Sequence, residues 1–408
     1  MRILFATPYI PSAIRVRPYQ LIRALAGEGH SVHLVALQPP EDQWGSVDAL
    51  RECCARVDVF PMTRARTLWN GLTALPGRLP LQAAYSHHPG LERHLREIAG
   101  SGAFDVMHVE HLRGAVLARG ITSLPRVFDA VDSITLLFEQ AARQAPGFSQ
   151  RMMAIVDLPR TRRFEARVPR EFDRTVITSP LDRDEFIRLG GPDAARSVMV
   201  VPNGVDTSYF RPGGPPSDPP MVLFSGKMSY HANAAAALFL AREVMPEVWK
   251  SCPEARLAIV GKGPPRDLLA LAADRRIQVT GYVEDIRSWI AQATVAVAPM
   301  LYGVGIQNKI LEAMASGVPV VSTSRTCGSL FAQRDRDFLV GDSALEIARH
   351  VLRVLGDPDF RARLATAGRR YVEQHHDWRD VARGLTTVYQ EAREVYLEGR
   401  KARRGGGR

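Results

Sequence analysis

The pattern that most restricts this chain is a succession that occurs twice: a short apolar run, a glycine- or proline-bearing turn, a helical stretch and a second apolar run. "RILFATP" (Arg2 to Pro8) leads into "YQLIRALAGEGH" and then "SVHLVAL", while "PMVLFSGKM" (Pro220 to Met228) leads into "NAAAALFLAREVMPEVWK" and then "ARLAIVG". Apolar runs of about four to eight residues separated by helices of about twelve specify parallel strands, buried on both faces and joined by helical crossovers. Two copies imply two sheets. The expected fold is therefore α/β, with two doubly wound Rossmann-like domains. At 408 residues, 46% of them apolar, the chain has material for two cores.

Further strands are predicted at "DVMHVE", "RVFDAV" and "RTVITS" in the first half and at "IQVTGYV", "VAVAPM" and "VPVVSTS" in the second. Glycine and proline fill seven of the ten positions of "RPGGPPSDPP" (Arg211 to Pro220), which marks the domain boundary. The predicted organisation is an N-terminal domain over residues 1–205, a C-terminal domain over 206–375, a helix over 376–400 packing back on the first domain, and a flexible basic tail over 401–408. Ligands of open α/β sheets bind outside the carboxyl ends of the strands, so two facing sheets predict a cleft between them.

Several classes are excluded. No apolar run approaches the roughly 20 residues of a membrane span. "MRILFATPYIP" lacks a small-residue cleavage pattern and reads as a first strand. Cys53, Cys54, Cys252 and Cys327 show no metal-ligand or disulfide spacing, which suits a reducing cytoplasm. The net charge of +10 is partly concentrated in Arg160, Arg162, Arg163, Arg167, Arg170 and Arg174 and in the closing "KARRGGGR". Such runs suit either a solvated face or an anionic membrane surface; no aromatics are interleaved for nucleic-acid stacking.

In "GVGIQNKILEAMASGVPVVS" (Gly303 to Ser322), Ile310, Leu311, Met314 and Ala315 form an apolar stripe, and Lys309, Glu312 and Ser316 fall on another face. Lys309 lies in the first helical turn, where Gly303 and Gly305 let the backbone approach a ligand. Two readings are open: a phosphate and ribose site, or an i to i+3 surface ion pair. "FSGKMSYHAN" offers Gly226 and Lys227 at the end of a strand just before a helix near Asn233. It is not a P-loop, and "GKG" at Gly261 to Gly263 lacks dinucleotide spacing.

"VVPNGVDTSYFRP", "VLFSGKM", "ARLAIVGKGP", "VTGYVEDIRSWIAQATVAVAPM" and "NKILEAMASGVPVVS" occur here in one order. Together they resemble the group-1 (GT4-type) retaining glycosyltransferases of GT-B fold, strongly over about residues 200–345 and more weakly before them. The resemblance implies transfer of a sugar from a UDP- or GDP-sugar co-substrate to a hydroxyl acceptor, without cofactor or metal. It implies that Lys227 and Lys309 contact the donor diphosphate and that Glu312 binds the ribose. Gly226 lies in the same donor site, and the backbone around Tyr282 and Val283 reads the base. "LDRDEF" at Leu181 is a helix start rather than a metal motif.

The chain departs from the family in three places. The first glutamate of the last motif is Val304, so Gly305, Ile306, Gln307 and Asn308 must hold the sugar. The usual histidine of "V-H-D" is Val131, which leaves Asp129 or Asp132 near the reacting sugar. The Gly-Gly loop after the first strand is replaced by "PYIPSAIRVRPYQ", where Arg15 and Arg17 either hold an acceptor phosphate or the diphosphate, or face solvent. His108 and His111 read as structural, and the pairs at His87 and His375 have no role. By resemblance the acceptor is a glycan, a lipid-linked or a small-molecule hydroxyl in exopolysaccharide or envelope synthesis, with contact to an anionic membrane and none to nucleic acid. A nucleotide-sugar epimerase and a non-catalytic sugar-nucleotide-binding subunit are the rival readings.

Overall fold

The computed structural model describes residues 1–12, 15–40, 47–144, 148–302 and 305–405. It contains two units, Met1–Pro202 with Trp378–Arg408, and Asn203–Asp377.

The first unit carries a seven-stranded sheet in the order β3-β2-β1-β4-β5-β6-β7. Its strands are β1 (Arg2–Thr7), β2 (Ser31–Gln38), β3 (Arg56–Pro61), β4 (Val106–Glu110), β5 (Arg126–Val131), β6 (Arg174–Ile177) and β7 (Val198–Val200). Every pairing is parallel. Central β1 is buried at five of its six positions, as a strand covered on both faces must be. Leu4, Ala6 and Val35 point into one layer, against Leu91 and Leu95 of the helix Pro89–Ala99. Ile3, Phe5 and Leu34 point into the other, against the helix Val16–Gly27.

The last helix, Trp378–Gly405, belongs to this second layer and continues past residue 400, where the tail was expected to begin. Val381, Leu385, Val388 and Tyr389 are buried at helical spacing, and the Tyr389 hydroxyl bonds His108 Nδ1 at 2.9 Å. His108 stacks on Phe5 with ring centroids 4.1 Å apart. Burial pushes it down to about 4, so a neutral imidazole fills the core. On the edge of the sheet, His33 and His94 each lie 2.8 Å from one oxygen of Asp58, tying β2, β3 and the helix Pro89–Ala99 together.

The second unit carries a six-stranded parallel sheet in the order β10-β9-β8-β11-β12-β13. Its strands are β8 (Met221–Ser225), β9 (Arg256–Val260), β10 (Ile277–Val279), β11 (Val295–Ala298), β12 (Val320–Ser322) and β13 (Leu339–Val340). The division between units falls at Pro202 and Asn203, ahead of "RPGGPPSDPP". The reason is local: the Val205 amide donates to the His376 carbonyl at 2.7 Å, and His376 Nδ1 lies 2.6 Å from the Asn203 carbonyl. The strand order reverses between β1 and β4 in one unit and between β8 and β11 in the other, the two places where loops diverge and leave a crevice.

The arginine cluster over 160–174 is largely absorbed inside the first unit. Arg162 pairs with Glu139 at 2.5 Å, Arg170 with Asp193 at 2.8 Å and Arg174 with Glu391 at 3.1 Å, while Arg160 donates to the carbonyls of Leu75 and Gly77. "LDRDEF" starts a helix, Pro180–Gly190, whose N-cap Ser179 accepts from the Asp182 amide.

Candidate active site

In the second unit the site is built on the crevice between β8 and β11. Strand β8 is followed at once by Gly226, whose φ of +150° only glycine adopts readily. A side chain there would meet Asn233 Nδ2 at 2.9 Å and Lys309 Cε at 3.3 Å, so the missing Cβ is what admits the lysine stem. The next loop is closer still: a Cβ on Gly261 would lie 1.7 Å from the Gly226 carbonyl oxygen. Amides of Met228 and Ser229 donate to the Lys262 carbonyl at 2.9 and 3.4 Å, and the Gly261 amide to the Gly281 carbonyl at 3.1 Å. The loops after β8, β9 and β10 are thereby fastened edge to edge.

Lys309 sits in the first turn of the helix Asn308–Ala315. Its Nζ donates to Asn233 Oδ1 at 2.6 Å and lies 4.8 Å from the Phe224 ring centroid, while Asn233 Nδ2 donates to the Lys227 carbonyl at 3.0 Å. Asn233 therefore aims one lysine at the loop that carries the other. Among the described residues no ion pair joins Lys309 to Glu312, which removes the surface-pair reading. Both side chains keep a partial opening to solvent while protein encloses the rest. Burial pushes Lys309 down to about 7, the charge of Glu312 acting the other way, and pushes Glu312 up to about 7 against the pull of Lys309. Two ionisable groups whose charged forms burial opposes, one helical turn apart, make this turn a candidate site.

The other expected donor residues are distributed as follows. Lys227 is exposed, and its ammonium bonds no side chain among the described residues. Gly305 is buried at φ +71°, and the Ile306 side chain enters the core, leaving only its backbone at the site. Gln307 is the N-cap of the Lys309 helix. Asn308 is engaged within the unit, its Oδ1 accepting from Asn203 Nδ2 at 3.2 Å. The Tyr282 ring is exposed after β10, whereas Val283 packs against the core. Gly303 and Val304 lie outside the described residues.

In the first unit, chemistry-bearing residues again collect at the carboxyl edge beside the reversal of strand order. Arg17 is 5% exposed; its Nε pairs with Asp129 Oδ2 at 2.9 Å and its Nη1 donates to the Pro202 carbonyl at 3.0 Å. Asp129 is 0% exposed and also accepts from the Val131 amide at 3.0 Å. The arginine expected to meet a phosphate and the aspartate expected to meet the sugar thus hold each other. Asp132 keeps a partial opening; its carboxylate accepts from the Thr178 hydroxyl at 3.2 Å, and burial, helped by the charge of Asp182, pushes it up to about 7. The Arg15 guanidinium lies over the Tyr9 ring, 4.1 Å from its centroid.

Tyr9 and Glu110 are the sequence reading's omissions here. The Tyr9 hydroxyl donates to Glu110 Oε1 at 3.0 Å, and Glu110, the last residue of β4, is 1% exposed with Oε2 unbonded. Burial, then the charge of Asp129, pushes Glu110 up to about 8. A carboxylate closing a fully buried central strand was the available signal. His111, just after β4, and Val131, the last residue of β5, have φ of +63° and +65°, strained values for residues with side chains, and both lie at this edge. Asn233 and Gly261 were likewise missed, since their roles depend on which loops adjoin.

Comparison with known proteins identifies the family and the fold. The family described as Glycosyl transferases group 1 matches residues 219–357, and Glycosyl transferase 4-like domain matches residues 12–204. D-inositol 3-phosphate glycosyltransferase of Saccharomonospora viridis is 28% identical over 333 residues, 72% of each chain. Phosphatidyl-myo-inositol mannosyltransferase of Mycolicibacterium smegmatis is 25% identical over 418 residues, 96% of this chain and 94% of its own. Among solved structures, sucrose-phosphate synthase of Thermosynechococcus elongatus superposes with a TM-score of 0.67 at 16% identity, covering 96% of this chain and 98% of the other. HepE of Anabaena, determined with UDP and glucose, gives 0.65 at 15%, covering 96% and 99%. These likenesses show the fold, two doubly wound α/β domains of the GT-B type.

Proposed function

Because the chain belongs to the group 1 glycosyl transferases, we propose that it moves a glycosyl unit from a nucleoside diphosphate sugar to a hydroxyl acceptor with retention at the anomeric carbon. The observation that carries this reading is the Lys309 ammonium, held by Asn233 over the end of β8 and in the first turn of a helix.

As the bond between sugar and diphosphate loosens, negative charge grows on the leaving oxygens. Fixed cations that meet that charge stabilise the transition state more than the ground state. Lys309, Lys227 and the amino end of the Asn308–Ala315 helix supply it, in the role a divalent ion fills in other transferases. A bound diphosphate also restores the proton that burial has loosened from Lys309. Glu312, one turn on, accepts from the ribose hydroxyls, and the backbone of Gly305 to Asn308 holds the sugar. The departing phosphate oxygen takes the acceptor proton on the same face of the sugar. Of the two candidate aspartates, Asp132 is the one with an opening through which to orient a ring.

Relatives named as GDP-mannose-dependent and a neighbour crystallised with UDP support a UDP- or GDP-sugar donor. Relatives named for inositol phosphate and phosphatidylinositol support a phosphorylated or lipid-linked hydroxyl acceptor; the setting proposed for it is envelope glycan synthesis at the cytoplasmic face of a membrane. No helix of the described residues is long and apolar enough to cross a membrane.

The test is incubation of the pure protein with UDP- and GDP-sugars, followed by analysis of nucleotide and sugar. Slow release of nucleoside diphosphate with the sugar otherwise unchanged is expected. An epimerised sugar still attached to nucleotide, or binding with neither change, would overturn the proposal.

A further inference from the structure

Three side chains of metal-ligating type meet at the outer edge of the first unit's sheet. In β2, His33 shares a face with Val35, and Val35 pairs across with Asp58 of β3. The helix Pro89–Ala99 covers that face with Leu91 and Leu95, and His94 stands between them in sequence. His33 Nε2 and His94 Nε2 thereby each come to lie 2.8 Å from the same oxygen, Asp58 Oδ2. His33 is the third of the eight residues of β2, and β3 is the outermost strand, whereas Glu110 and its neighbours lie at the carboxyl edge beside β1 and β4. Sugar transfer gives this cluster no task.

The surroundings hold all three groups in place. Arg56 Nε takes the other carboxylate oxygen, Oδ1, at 2.9 Å, so Oδ2 is the atom presented to the histidines. The His33 ring leans on Phe104, with centroids 5.5 Å apart, and the His94 ring on Phe60 at 5.4 Å. No bond among the described residues engages either Nδ1, which leaves each imidazole free to carry its proton there and turn the Nε2 lone pair inward. Side-chain exposures of 11% for His33, 17% for Asp58 and 23% for His94 keep the cluster within reach of a solute in water.

Two imidazole nitrogens and one carboxylate oxygen suit Zn²⁺ and its neighbours, whereas Mg²⁺ and Ca²⁺ call for oxygen ligands. The three donor atoms all lie within 4.8 Å of one another. Bonds of about 2.0–2.2 Å at tetrahedral angles set ligand atoms about 3.4 Å apart, so the two short contacts need open by only about half an ångström. We propose that His33, Asp58 and His94 bind one divalent transition-metal ion of the Zn²⁺ class, with water completing its coordination, and that the ion pins β2, β3 and the helix Pro89–Ala99 together. From neutral imidazoles, each proton moves from Nε2 to Nδ1 as the ion enters, and none is released. The histidines lie 25 and 36 positions from Asp58 along the chain, so folding assembles the site and the ion stabilises the folded unit. Its role is structural, and the sugar transfer proposed above runs without it.

The experiment is titration of the full chain, stripped with a chelator, with Zn²⁺, followed by calorimetry and thermal unfolding. One equivalent should bind, and a hundredfold excess over the dissociation constant should raise the melting temperature by about 5–10 °C. Mg²⁺ should do neither. His33→Gln and His94→Gln each keep a side-chain N–H for Asp58 and should weaken Zn²⁺ binding by about a hundredfold or more. His87→Gln, which removes an exposed imidazole paired with Glu92, and Cys53→Ser/Cys54→Ser should bind like wild type. Should a glutamine variant fail to fold, nitrogen-15 imidazole spectra of the wild-type chain decide: Zn²⁺ should shift two histidines, both from the Nε2–H to the Nδ1–H form. No binding by the wild-type chain, an equal response to Mg²⁺, equal binding by the folded His94→Gln variant, loss of binding in the His87 or cysteine variant, or imidazole spectra that Zn²⁺ leaves unchanged would each overturn the inference.

Discussion

Replacing Lys309 with methionine should make the protein more stable and nearly inactive at once. Methionine keeps an apolar stem against Phe224 and removes the ammonium. In the folded chain Lys309 loses its proton at about 7, against about 10.4 when unfolded. Between those values the unfolded chain binds the extra proton, so wild-type stability rises with pH across the window and is penalised at its lower end. The full difference corresponds to about 4–5 kcal/mol at pH 7. Partial solvent opening and the lost bond to Asn233, which costs about 1–3 kcal/mol, reduce the expected gain to about 1–2 kcal/mol. A unit of this size moves by about 2–4 °C per kcal/mol, so the melting temperature should rise by about 2–8 °C. The gain should vanish or reverse at pH 9, where the wild-type penalty has fallen by about half while the lost bond to Asn233 still costs the variant.

Turnover should move the opposite way. Losing a well-aimed cation removes about 2–4 kcal/mol of transition-state stabilisation, or about 30- to 1,000-fold in kcat/KM. A surface ion pair would give neither effect, since its loss costs about 0.5 kcal/mol at most. Thermal unfolding at pH 7 and 9, together with nucleoside diphosphate release, measures both. A folded variant with near-normal turnover, or one less stable than wild type at pH 7, would refute the reasoning.

Three further outcomes follow from the geometry. Gly261→Ala places a methyl group on the Gly226 carbonyl oxygen, so the fastened loops must part; nucleotide affinity should fall at least tenfold with a lower melting temperature, and an unchanged nucleotide titration would count against the site. Arg17→Met leaves Asp129 buried without its cation and should cost about 3–5 kcal/mol in urea denaturation, most of it recovered in Arg17→Met/Asp129→Leu. Glu110, pushed up to about 8, keeps a proton in the fold that the unfolded chain releases near pH 4. Wild-type stability should therefore decline from about pH 4 to 8, and Glu110→Gln should flatten that decline in melts at pH 5 and 8.

What the sequence disclosed was whatever depends on nearest neighbours along the chain. Strand runs such as "VAVAPM" and the lysine and glutamate one helical turn apart are local patterns, and the fold preserves them. Arg17 illustrates the opposite case: an arginine in a loop looks the same whether it awaits a phosphate or reaches an aspartate 112 positions away. The short strands β3, β7 and β13 escaped because two to six residues at a sheet's edge or in its final turns carry too little periodicity to register.

The first unit is interrupted: its chain leaves at Pro202 and returns at Trp378. During synthesis, its seven strands emerge long before the helix that supplies Leu385 and Tyr389 to their second layer. The half made first is therefore the half completed last, and it must wait with Phe5 and His108 uncovered while the whole second unit is made and can fold. A stop or cleavage near residue 377 would spare every donor-site lysine and still leave the first unit open to aggregation.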